Sequence, residues 1–218
     1  MISLDLNQLT GRVPGDIFFM PNLRSLSFSD NRLDGSLPTE IEAATQLDTL
    51  RLAGNQLEGS IIPEVGRLLN LKELDLESNN FENELPTELY DLRGLEWLSI
   101  GGNNAITGHI PTAISRLTRL NYLSLSDTAL RANIPTEYGS LTNMQVLEIA
   151  GTLVGGTIPE EIASLTRLSR LNLSGSRFRK NIPTFMGSFT ALSKFSSICA
   201  RCEVQACINS TYIDHYYD

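Results

Sequence analysis

Asparagine returns at Asn7, Asn31, Asn55, Asn79 and Asn103, each 24 residues after the last. The series continues as Thr128, Thr152 and Ser176, after steps of 25, 24 and 24 residues. A fixed period of this length constrains the chain more than its composition does, because every unit must be structurally equivalent to its neighbours. The residues around each position recur as well. L-x-x-L-x-L-x-x precedes it, as in "LDTLRLAGN" and "LKELDLESN", and x-L-x-G-x-I/L-P follows, as in "NRLDGSLP" and "NAITGHIP". The one longer step carries the doubled Asn of "GGNNAITG", a single-residue loop insertion.

Each part of the unit has a physical reading. L-x-L is a short strand whose alternate residues point inward. A single unit cannot bury its apolar side, so successive units must stack as coils around a shared core. After each proline, stretches such as "PTEIEAATQL" and "PEEIASLTRL" place apolar residues three apart, as in a short helical turn. Their first apolar column reads Ile17, Ile41, Val65, Leu89, Ile114, Tyr138, Ile162, Met186. Acidic residues after the proline suit the start of such a turn, and the proline itself fixes φ where the chain leaves for the outer face. An inward asparagine can use both amide donors and its carbonyl on backbone groups at the bend. Thr128, Thr152 and Ser176 can do part of this, which predicts weaker or water-assisted bonding in repeats six to eight. These columns are architectural, and none is a catalytic candidate.

The pattern resembles the plant-type leucine-rich repeat family, the 24-residue class with an L-x-G-x-I-P signature. Eight units fill residues 1 to about 190 and a ninth begins at Leu192, so the resemblance covers about nine-tenths of the chain. It implies an α/β solenoid over residues 1–198, followed by a Cys-containing tail or cap over 199–218. The expected shape is a curved right-handed horseshoe with a parallel concave β-sheet and short helical or 3-10 turns on the convex side. Departures are local. The signature glycine is replaced at Asn83, Ala132 and Lys180, and "SIIP" displaces one proline to Pro63.

In stacked coils, residues between the strand leucines align side by side on the inner sheet, roughly 4.8 Å apart. One column therefore reads Ser25, Thr49, Glu73, Trp97, Tyr122, Val146, Arg170, Lys194. The next reads Ser27, Arg51, Asp75, Ser99, Ser124, Glu148, Asn172, Ser196, and a third holds Ser29, Ala53, Glu77, Gly101, Ser126, Ala150, Ser174. Trp97, the chain's one tryptophan, thus becomes the neighbour of Tyr122. Around this pair stand Arg51, Glu73, Asp75, Glu77, Glu148 and Arg170. Aromatics flanked by charges, beside small residues, have the composition of a binding hot spot. The alternative is an aromatic pair that stacks across strands and stabilises the sheet.

Composition excludes other partners. The net charge of −8 and pI near 4.8 offer no basic field for nucleic acid or an anionic membrane. No apolar run reaches the roughly 20 residues of a membrane helix, and "MISLDLNQLTG" lacks the regions of a signal peptide. Enzyme motifs are missing too. His109, in "TGHIP", occupies a loop slot shared with Ser36, Ser60 and Thr157. Glu73 and Asp75 lie on a face expected to be open and solvated, without the desolvation that would split their pKa values. The reading is therefore of a chain that is not an enzyme and needs no cofactor and no resident metal.

The tail admits three readings, one of them a truncated or mis-read end, since "NSTYIDHYYD" carries no repeat pattern. Cys199, Cys202 and Cys207 can supply a disulfide that closes the last coil, as in secreted members of the family, with one thiol left over. With His215 they also form a Cys3His set, although the spacing matches no common zinc finger closely. Sequons occur at Asn172 and Asn209, the former on the concave face. Met1 falls almost on the first strand, without a capping element, so the chain is expected to be a piece of a longer protein. The family includes receptor-kinase ectodomains and polygalacturonase-inhibiting proteins. The resemblance thus implies a protein-interaction module that recognises a peptide, protein or glycan outside the cell, as part of a receptor-like protein. The alternatives are a secreted inhibitor of a cell-wall-degrading hydrolase and a cytoplasmic scaffold.

Overall fold

The computed structural model describes residues 1–179 and 183–196. Lys180, the three cysteines, Asn209 and His215 lie outside them. The L-x-L segments form three-residue strands, such as Glu73–Asp75, Trp97–Ser99 and Tyr122–Ser124. Nine strands pair in chain order into one sheet. The pairing is parallel, with Glu73 opposite Trp97, Trp97 opposite Tyr122, Tyr122 opposite Val146 and Val146 opposite Arg170. The step from Trp97 to Tyr122 absorbs the insertion without moving the register.

The leucines at the centre of these strands and those flanking them fill the interior. Leu47, Leu50, Leu52, Leu71, Leu74, Leu95, Leu98 and Leu123 have no exposed surface. At the first coil the edge of this core is open, with Leu4, Leu6, Phe19 and Met20 exposed.

Every described proline turn is a five-residue 3-10 helix, from Gly15–Phe19 to Thr184–Ser188. Proline is the N-cap residue in each except Pro63–Arg67, where the displaced proline takes the first helical position instead. Either placement works because proline's φ suits the start of a helix and its missing N–H would have had no partner there. Acidic residues follow, including Glu40, Glu64, Glu88, Glu137 and Glu160.

The asparagine column ties each coil to the one before. Asn79 accepts from the Leu57 amide at 3.0 Å and donates to the carbonyls of Leu52, Leu76 and Glu77. Asn31, Asn55 and Asn103 repeat this set. Asn7, in the first coil, bonds within its own coil to Leu4 and Asp5. The hydroxyl of Thr128 donates to Leu125 of its own coil at 2.7 Å. Thr152 and Ser176 share a hydroxyl contact at 3.0 Å, and Ser176 donates back to Ile149 of the preceding coil. A hydroxyl has one proton where the amide has two, so the later coils are joined by fewer bonds.

Past the ladder, the chain forms a second set of parallel strands that the sequence reading did not anticipate. Five strands run from Thr10–Arg12 to Ala105–Ile106, and three from Arg131–Asn133 to Arg177–Phe178. A single bridge between His109 and Arg131 spans the gap, which gives His109 a structural place in its loop slot. The signature glycine lies at or next to the end of this strand at positive φ, for example 75° at Gly59 and 77° at Gly156. Asn83 and Ala132 adopt the same conformation, at 68° and 77°. For alanine this region costs roughly 1–2 kcal/mol, so the stacked coils hold Ala132 there against its own preference.

A concave aromatic and acidic site

The candidate site is built on the strands Glu73–Asp75, Trp97–Ser99, Tyr122–Ser124 and Val146–Glu148. Alternation sends Leu74, Leu98, Leu123 and Leu147 inward and leaves their neighbours on the concave surface. The register places Trp97 beside Tyr122, and their rings stack with centroids 3.5 Å apart and an interplanar angle of 2°. Both side chains are half-buried. Nε1 of Trp97 is fully buried and has no hydrogen-bond partner, so the indole is less open to solvent than simple alternation suggests.

The charged residues are arranged diagonally across neighbouring coils. Arg51 donates two bonds to Glu73, at 2.6 and 2.8 Å. Arg170 pairs with Glu148 at 2.9 Å, and the Tyr122 hydroxyl donates to the same carboxylate at 3.3 Å. Burial and the nearby carboxylates push the Tyr122 phenol up to about 12, so it stays protonated and can donate. Glu77 accepts a 2.6 Å bond from Ser99 in the next coil. Asp5 does the same with Ser27, also at 2.6 Å. The sequence columns missed this acid–serine pairing, although its signal is present: each serine follows its acid by 22 residues.

Asp75 departs from the expected solvated face. Desolvation is the main cause that raises it from 3.8 to about 6, and Glu77 and Glu73 add to the effect. The Glu77 amide, donating at 3.2 Å, and the charge of Arg51 offset part of it. The floor beside the aromatics is therefore dry enough to perturb a carboxylate, although the sheet is broad. The small residues Ser99, Ser124 and Gly101 are buried there. Asn172 also lies on this sheet, opposite Glu148, and its carbonyl oxygen accepts from the Ser174 hydroxyl at 2.7 Å.

Family models bring the repeats together. A leucine-rich repeat region matches residues 108–210, and two further leucine-rich repeat models match 69–130 and the pair 22–43 and 46–68. The chain belongs to the plant-type leucine-rich repeat family. Solved structures agree. The plant peptide hormone receptor RGFR1, in complex with RGF2, is 36% identical with a TM-score of 0.84, covering 88% of this chain and 31% of the receptor chain. The ectodomain of the Arabidopsis thaliana receptor kinase GASSHO1/SCHENGEN3 is 31% identical, with a TM-score of 0.70 and coverage of 87% and 26%. That of the Arabidopsis receptor kinase HAESA, in complex with an extended IDA peptide hormone, is 27% identical, with a TM-score of 0.76 and coverage of 89% and 36%. The chain spans about a quarter to a third of the length of these receptor chains. No curated protein matches it. Among the described residues, no helix is long and apolar enough to cross a membrane.

Proposed function

We propose that this leucine-rich repeat chain is the ligand-recognition part of an extracellular, receptor-like protein. Its ligand is a peptide or protein segment that lies on the concave sheet across Trp97 and Tyr122. The stacked pair carries this reading. Stacking contributes about 0.5–1.5 kcal/mol, whereas a buried donor with no acceptor costs about 1–3 kcal/mol. At Trp97 the buried Nε1 offsets much of the stacking gain. The buried hydroxyls of Tyr90 and Tyr138 bear a like cost in the core, so strengthening the sheet stands beside recognition as an account of the residue. Recognition is the reading we take, since a rigid, half-buried aromatic among small residues needs little ordering to make contact. RGFR1 and HAESA, whose structures hold peptide hormones, support a peptide as the ligand class.

The test uses a displayed library of random peptides selected against the wild-type chain. Selected peptides should bind Trp97→Ala about tenfold more weakly or worse, a loss of about 1.4 kcal/mol. The variant should keep the circular-dichroism spectrum and melting behaviour of a folded solenoid. Selected peptides that bind both proteins equally would remove the aromatic pair from the recognition surface.

A further inference from the structure

The same surface carries information about the chemistry of its occupant, an inference that rests on the concave reading above. Tyr122 covers one face of the Trp97 ring. The sheet order puts the coil of Glu73, Asp75 and Glu77 on the other side. The other face of the indole is turned toward the coil that carries these three carboxylates, with Glu73 in direct register and Asp75 two residues along. They are already drawn apart: Glu73 leans to Arg51 in the coil before, and Glu77 to Ser99 in the coil after. Asp75 stands between them and accepts from a backbone amide.

The arginines of these columns are already engaged. Arg51 is held by Glu73 and Arg170 by Glu148. Along these three columns, from the first coil to the eighth, no other Lys or Arg occurs. Lys72, exposed and immediately before the strand Glu73–Asp75, lies outside these three columns. After these pairings Asp75 and Glu77 remain as net negative charge beside an aromatic face. An anionic ligand group would find no unpaired cation in these three columns and would meet two carboxylates.

We propose that the notch between the indole of Trp97 and the carboxylates of Asp75 and Glu77 takes a cationic group of the ligand, a lysine or arginine side chain or an amino terminus. A ring face attracts a cation through its quadrupole, and a partly desolvated carboxylate gains more from a counter-charge than a solvated one does. Burial holds Asp75 near 6 even with the charge of Arg51 nearby. Binding a cation therefore lowers that value, and by linkage the cation binds less tightly as the pH falls through 6.

Because Trp97 is the one tryptophan in the chain, its fluorescence reports directly on the notch. Two probes suffice, acetyl-Gly-Arg-Gly-amide and acetyl-Gly-Glu-Gly-amide, each titrated into the folded chain at low salt. The arginine probe should change the emission saturably, more weakly at pH 5 than at pH 7.5. A folded Asp75→Asn, Glu77→Gln double variant should bind it about fivefold more weakly or worse, and the glutamate probe should bind neither protein. Equal binding of the two probes, or no saturable change with the arginine probe, overturns the proposal. The peptide library separates this failure from that of the parent reading. Selected peptides that depend on Trp97 but lack Lys, Arg and a free amino terminus leave the concave site standing and remove its cation. Peptides indifferent to Trp97 remove both.

Discussion

Asp75 shows how a single residue can be at odds with the stability of the coil that carries it. Its carboxyl is raised from 3.8 to about 6, with burial as the main cause. The folded chain therefore holds the proton more tightly than the unfolded chain does, and the sign follows. The stabilisation linked to this proton is complete below about pH 4 and is lost as the pH rises through about 6. At pH 8 the folded state carries a desolvated anion near Glu73 and Glu77. Replacing it with the neutral Asp75→Asn should raise stability there by about 1–2 kcal/mol, allowing for the solvent that still reaches the group. At pH 4 the difference should nearly vanish. Denaturant unfolding of both proteins at the two pH values checks this, and a variant no more stable at pH 8 would refute the burial account. Such a residue is costly as scaffold, which suits one kept for contact with a ligand.

At the scale of elements, coils are held together by a backbone approach close enough to exclude a methyl group. A Cβ at Gly139, in the turn Thr136–Ser140, would lie 2.6 Å from the Glu161 carbonyl oxygen of the next coil. Gly139→Ala must therefore push apart two turns that pack directly, at a cost of about 1–3 kcal/mol. Thermal melting measures it, and an unchanged midpoint would mean that the turns do not pack so closely. That constraint was hidden in the sequence, where the same position holds Gly66, Tyr90, Ser115 and Ala163 in other coils. The first set of strands, the leucine core and the lateral pairing of Trp97 with Tyr122 were legible, because a strict period converts sequence separation into adjacency. The second set of strands was not, since x-L-x-G is too short a run to display alternation. Nor were the ion pairs fully legible. The columns place Arg51 level with Asp75, yet its partner is Glu73, reached diagonally by a long side chain. The raised value at Asp75 depends on how deep the neighbouring side chains leave it, and spacing carries no information about depth.

For the molecule as a whole, the contacts are one-dimensional: each coil touches the one before and the one after. Stability should then depend on position along the stack even where local bonding is identical. The Leu4 amide donates to Ser27 at 2.9 Å, and the Leu76 amide donates to Ser99 at 2.9 Å. The two bonds have the same type, length and place within the repeat. Leu4 belongs to a coil with one neighbour in this chain, an exposed apolar edge and an Asn7 that bonds within its own coil. Leu76 sits between two fully bonded coils, with Asn79 and Asn103 both donating across that region. Opening the first coil breaks one interface, whereas opening the fourth breaks two or requires unfolding from an end. Hydrogen exchange of the 218-residue chain should therefore show Leu4 and Leu6 exchanging through local opening, orders of magnitude faster than Leu76 and Ile100. Equal protection at the two places would mean that the coils unfold as one cooperative block, with no weaker end. The concave site lies where protection should be greatest, so the solenoid presents Trp97, Tyr122 and Asp75 to a ligand on its stiffest part, and binding there need not order the surface first.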